Sequence, residues 1–205
     1  MIRYKLPFLS AINREQGFTI LELTIVIIIM GILSALTVTN VIKSQVTARD
    51  KERVEDISSI ARHFNSLYNQ GLNSSNPSLS TYNQQLSYPS TLLISSPTST
   101  IAAAVFDEID PRALQAPKGS SGGGATHSLV NATSTTKATI SNISPMPSAT
   151  NDVYVYQPLN RDDTLCTSTT VTFYIRPDPT RCVKFQIFYY DEASQSVKVK
   201  SSVNQ

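Results

Sequence analysis

From Phe18 to Val38 the chain reads FTILELTIVIIIMGILSALTV, 21 residues in which Glu22 is the only charged one. A helix needs about 20 predominantly apolar residues to cross the hydrocarbon of a bilayer. This stretch is therefore expected to be a transmembrane helix, and the rest of the chain has to be fitted around it. The preceding residues hold Arg3, Lys5 and Arg14 against Glu15, and the next positive charge is Lys43. The positive-inside bias then puts residues 1–17 in the cytoplasm and everything after about Asn40 outside. A carboxylate inside a membrane costs about 3 kcal/mol on insertion scales and marks a functional position with a partner to be named. Glu22 calls for a cation.

The leader is polar and ends in Gly17, and nothing after the apolar run resembles the small-residue cleavage box of a secretory signal. A cut between Gly17 and Phe18 would create an α-amino group close to Glu22, at the same membrane level. The amine of a neighbouring subunit displaced by about one turn could pair with that carboxylate, strengthened by the low dielectric. Staggered packing would follow.

The run Gly17-Phe18-Thr19-Ile20-Leu21-Glu22-Leu23, followed by unbroken apolar sequence, resembles the prepilin signal of type IV pilins and related pseudopilins. The resemblance extends over about residues 14–70. It implies that a prepilin peptidase cleaves after Gly17 on the cytoplasmic face, that Phe18 becomes the N-methylated first residue, and that Glu22 guides assembly. The implied partners are identical or related pilin subunits, the prepilin peptidase and a pilus assembly platform. The implied product is a structural subunit and not an enzyme. It is stored in the cytoplasmic membrane and then built into an extracellular filament for motility, adhesion or DNA uptake. Two alternatives stand beside it: a type II secretion-like pseudopilin, and a signal-anchored extracytoplasmic binding protein or enzyme in which Glu22 has no assembly role. Thr39 departs from the pattern, since many pilins carry a helix-kinking proline there.

Beyond the membrane, Val54, Ile57, Ala61, Phe64 and Tyr68, with Ile60 and Leu67 beside them, form a stripe at three- and four-residue steps, the mark of a helix with one buried face. Lys51 with Glu55, Arg49 with Glu52 and Arg53 with Asp56 stand at helical neighbour spacings and are expected to solvate the polar faces. Gly71 can take the left-handed conformation that closes a helix, so the helix is expected to end near Gln70. Phe18 to Gln70 would span roughly 80 Å.

Residues 71–150 contain 26 Ser or Thr, several prolines and the run Gly122-Gly123-Gly124, a composition that favours loops. In pilins this region is the variable connection. Beyond Asn151 four strand-like runs follow: 153–156, 171–175, 183–190 and 197–200. In the third, Val183, Phe185, Ile187 and Tyr189 alternate with Lys184, Gln186, Phe188 and Tyr190, and 191–195 supplies a hairpin connection. The expected fold is α+β: a long N-terminal helix packed on a small C-terminal antiparallel sheet. The organisation is leader 1–17, helix 18–70 with its membrane half 18–38, variable region 71–150 and sheet 151–205. Cys166 and Cys182 lie in the part assigned to the outside of the reducing cytoplasm, where a disulfide is the natural reading and two free thiols the alternative. Such a bridge would contribute about 3 kcal/mol.

Composition excludes other chemistries. The net charge of +2 comes entirely from residues 1–17, and the remainder balances, so the chain is no nucleic-acid coat; two cysteines make no four-thiolate zinc site. No catalytic residue, cofactor or metal is expected. His63 and His127 have no nucleophile motif near them and are expected at the surface. Asp107, Glu108 and Asp110, or Asp162, Asp163 and Asp178, lack EF-hand spacing and read as solvated loops. Arg181, Lys184, Lys198 and Lys200 could make a basic strip for DNA phosphates, although no aromatic nucleic-acid motif accompanies them. Asn73, Asn131 and Asn142 match the N-glycosylation pattern, which is short enough to arise by chance.

Overall fold

The computed structural model describes residues 17–71, 86–94, 105–117, 129–140, 152–167 and 181–203. The chain divides into two compact units, Met1–Ile42 and Lys43–Gln205. Helix α1 (Ile20–Gln70) begins in the first and ends in the second.

In the first unit α1 is apolar and exposed: Leu21, Val26, Ile29, Leu33, Leu36 and Ile42 all present large apolar surface. Among the described residues α1 is the one helix long and apolar enough to cross a membrane, and none of its most apolar 18-residue window is buried within the chain. Such a surface needs an apolar surrounding that the described residues do not supply. Three of its threonine hydroxyls are satisfied within the helix. Thr24 donates to Leu21 O at 2.8 Å, Thr37 to Ser34 O at 2.9 Å and Thr39 to Leu36 O at 3.1 Å, which removes the cost of a bare donor in lipid. Thr39 lies within continuous helix and keeps the backbone N–H that a proline would lack.

In the second unit the last turns of α1 pack on a four-stranded sheet, an α+β arrangement. Ile57, Ile60, Ala61 and Phe64 are buried, with Leu67 and Tyr68 partly so. Gly71 has φ 75° and its N–H donates to Leu67 O at 2.8 Å, the left-handed closure that its lack of a Cβ permits. A single turn, α2 (Thr91–Ile94), buries Ile94 in the same core.

The strands are β1 (Leu129–Asn131), β2 (Tyr154–Leu159), β3 (Lys184–Asp191) and β4 (Ser196–Ser201), in spatial order β1-β2-β3-β4. The β2–β3 and β3–β4 pairs are antiparallel, but β1 runs parallel to β2, with Leu129 opposite Tyr154 and Asn131 opposite Tyr156. The sheet is mixed, not antiparallel as expected. Its first strand comes from the Ser/Thr-rich region read as loop, because three residues are too few to show an alternation. The expected strand 171–175 lies outside the described residues, as do Asn73, Lys118–Ser128, Asn142 and Asp178.

Each face of the sheet has its own core. Tyr154, Tyr156, Phe185 and Ile187 face α1, where Phe64 meets Phe185 edge-on at 5.9 Å and Tyr156 at 5.0 Å, both favourable aromatic geometries. Val155 and Phe188 face the other way, under Ala132 and Ala138. Fully buried Gln157 ties that cover down: its Oε1 accepts from Ala138 N at 3.0 Å and its Nε2 donates to Thr136 O at 2.7 Å. The Cys166–Cys182 disulfide is buried in the helix-side core, with Cα atoms 5.5 Å apart. The carbonyls of the same two cysteines accept from Thr91 N at 3.2 Å and Tyr88 N at 2.7 Å, so the bridge also anchors the segment leading into α2.

Candidate processing and assembly site

Gly17, Phe18 and Thr19 precede the first helical residue, Ile20. Thr19 is the N-cap: its Oγ1 accepts from Glu22 N at 3.2 Å and its carbonyl from Leu23 N at 3.1 Å. Thr19 and Glu22 stand at the spacing of a capping box, and Phe18 and Leu23 at that of a hydrophobic staple. Phe18 is 83% exposed and lines, with Glu22, Leu23, Val26 and Ile27, an open apolar groove of about 260 Å³. A Cβ built on Gly17 would meet nothing within 4 Å, and Gly17 is not among the residues with positive φ. Neither sterics nor backbone conformation requires glycine there. Among the described residues Glu22 has no ion-pair partner. Its position in the first turn places a negative charge at the positive end of the helix dipole.

Residues 12–38 match the prokaryotic N-terminal methylation motif. The chain carries a type IV pilin-like prepilin motif. The matched residues bracket the Gly17–Phe18 junction, Thr19 and Glu22, and end where the unbroken apolar run ends. No curated protein and no solved structure matches the chain. The prepilin motif fits a type IV pilin or pseudopilin precursor, and together with the apolar helix it fits membrane anchoring before processing.

In the second unit Lys51, Glu52 and Glu55 are exposed as expected, but the other charges read as solvating the helix, Arg49, Arg53 and Asp56, do something else. Arg53 is fully buried. Its guanidinium donates to Asp50 Oδ1 at 2.9 Å, to Pro117 O at 3.2 Å and to Glu192 Oε1. Arg49 grips the same Glu192 with two hydrogen bonds, at 3.1 and 2.6 Å. Asp50 in turn accepts from Glu192 N and Ala193 N, both at 2.9 Å. The hydrogen bond from Arg49, aided by Arg53, holds the Glu192 carboxyl below its ordinary range against the opposing effect of burial. This clasp fixes the β3–β4 turn to the helix. Val54, expected in the buried stripe, is 45% exposed. The buried line instead runs through Asp50, Arg53, Asp56 and Ile57, spaced by three, three and one. The signal was the register, since these charges fall on the prolonged line of the apolar stripe; a hydrophobicity count discards them.

Asp56 is buried and its Oδ2 accepts from Tyr154 Oη at 3.0 Å. Burial pushes its carboxyl up to about 6, with Glu52, Asp110 and Glu55 adding to the rise and the Tyr154 hydrogen bond opposing it. His63 is another correction: its side chain is packed against the protein, with Nε2 2.7 Å from Val105 O and Nδ1 3.7 Å from Glu108. His127 lies outside the described residues. Asn131, matching the glycosylation pattern, donates its amide to Thr91 O at 2.6 Å in the partly buried interior. Among the described residues no group of three or more His, Cys, Asp or Glu could hold a metal ion. The four basic residues of the proposed strip do not share a face: Lys198 and Lys200 lie opposite Tyr189 and Ile187, whereas Lys184 alternates to the other face and pairs with Asp163 at 2.8 Å.

Proposed function

We propose that the chain is the precursor of a type IV pilus subunit. The observation that carries this reading is the coincidence, within one matched segment, of an isolated membrane carboxylate and a glycine the fold does not need. A glycine that neither sterics nor backbone conformation requires is explained by an external reader, here a prepilin peptidase. The peptidase cleaves after Gly17, removing leader 1–17, and Phe18 becomes the methylated terminus. The free amine of one subunit then meets Glu22 of the next, and the exposed apolar half of α1 exchanges lipid for neighbouring helices on an assembly platform. In that low-dielectric setting the cost falls on a carboxylate left without its cation, so Glu22 favours the arrangement that supplies one. The sheet of the head, with β1 contributed by the variable region 71–150 and β2–β4 by 151–205, is displayed on an extracellular filament that serves motility, adhesion or DNA uptake. The subunit acts structurally, and the chemistry belongs to its peptidase.

Two variants test this in the source cells. Gly17→Val should leave the fold unchanged, because its Cβ would meet nothing, while abolishing removal of the leader. Glu22→Gln should be processed and membrane-stored yet fail to enter filaments. Normal function and stoichiometry of Glu22→Gln would favour the signal-anchored binding protein, and incorporation into a short periplasmic assembly instead of surface fibres would favour the pseudopilin.

A further inference from the structure

The cap at Thr19 lies two residues from the Gly17–Phe18 bond, and its consequence for that bond rests on the reading that cleavage occurs there. Hydrolysis adds water across the peptide: the hydroxyl goes to the Gly17 carbonyl carbon, which becomes a carboxylate, and a proton goes to the departing Phe18 nitrogen. A peptide bond inside a helix has its groups occupied by the helical ladder and its flanks covered by side chains, so a peptidase acting on it needs that segment outside the helix.

We propose that Thr19 is a positioning residue for this cleavage: by capping α1 through its hydroxyl it ends the helix one residue short of Phe18 and keeps the Gly17–Phe18 peptide non-helical. Three observations carry it. Gly17, Phe18 and Thr19 are all outside the helix. The Thr19 hydroxyl accepts from Glu22 N–H, one of the four donors that a helix start leaves unpaired, and the Thr19 carbonyl accepts the first helical bond, from Leu23 N–H. Gly17 has no steric neighbour to satisfy; besides being the residue the peptidase reads, it has a poor helix propensity, which opposes extension of the helix across the junction. The sequence also contains a competitor, since Asn13 and Gln16 have the spacing of a second capping box upstream. Removing the Thr19 hydroxyl takes away the acceptor of Glu22 N–H and favours extension of the helix back over Phe18 and Gly17, which would enclose the scissile bond in helix. Glycine and cap act in the same direction.

The test is the rate of leader removal from the full chain in detergent micelles by prepilin peptidase, followed by intact mass, for Thr19→Ser, Thr19→Asn and Thr19→Val. Ser and Asn keep the capping oxygen; Val keeps the shape of Thr without it. The expected order is wild type, Ser and Asn close together and Val slower by about five-fold, the factor equivalent to the ~1 kcal/mol of a lost cap. Val cleaved like wild type with Asn slow would overturn the proposal, since that order is direct recognition of side-chain shape by the peptidase. Equal rates for all four would overturn it too. Failure of the wild-type chain to be cut after Gly17 would overturn the processing reading itself, which separates the two.

Discussion

Replacing Asp56 by Asn should make the protein more stable at neutral pH and change it little in acid. Asp56 is a buried carboxylate that accepts a hydrogen bond from the Tyr154 hydroxyl, 3.0 Å away. Burial is the main reason its carboxyl is pushed up to about 6 from an ordinary 3.8. Because the folded state binds this proton more tightly than the unfolded chain, the group's stabilising contribution is complete below about pH 3.8 and is lost as pH rises through about 6. The whole difference corresponds to at most about 3 kcal/mol at neutral pH, and to about 1–2 kcal/mol once residual solvation is allowed for. Asn keeps an acceptor for Tyr154 and carries no charge. Thermal unfolding of the full chain in detergent, read by near-ultraviolet circular dichroism, should show the variant's Tm advantage growing from near zero at pH 4 to about 3–6 °C at pH 7.5. An advantage that does not change with pH, or a less stable variant at pH 7.5, would refute the reasoning.

Three further outcomes follow from the head. Reducing Cys166–Cys182, or replacing both by Ser, should lower stability in urea by about 3 kcal/mol, as expected for a closed loop of this length; an unchanged midpoint would show that the bridge constrains nothing. Arg53→Ala should cost about 3–5 kcal/mol, because it leaves Asp50 facing a buried site without its cation and Glu192 held by Arg49 alone. Arg49→Ala, whose side chain is partly exposed, should cost about 1 kcal/mol, and denaturant midpoints of equal size for the two would contradict the ranking. Gln157→Leu should cost at least about 2 kcal/mol by stranding Ala138 N and Thr136 O, and hydrogen exchange at Ala138 should quicken.

What could be read from the sequence was what repeats or punctuates. The apolar run, the stripe through Ile57, Ile60 and Phe64, the alternation of Phe185 and Ile187 against Phe188, and the stop at Gly71 are periodic or single-residue signals of strong physical origin. Strand β1 is too short to have a period, and its parallel pairing depends on a crossover that no local pattern encodes. The Arg53 clasp was missed for a different reason. A fully buried arginine is stable only through partners, and one of them, Glu192, is 139 residues away, so its burial is a tertiary fact. His63 and Asn131 became legible in the same way, only once Val105 O and Thr91 O were beside them. Thr19 was within reach: threonine three residues before a glutamate at the head of an apolar run is a start signal, obscured by attention to the glutamate alone.

The central claim is that the chain is cut at Gly17 and built into a filament from Phe18 onward. Intact mass spectrometry of the protein from its own cells tests it most directly. The account predicts a chain that begins at Phe18 and carries one additional methyl group; a chain that retains residues 1–17 in the assembled or surface fraction would contradict it.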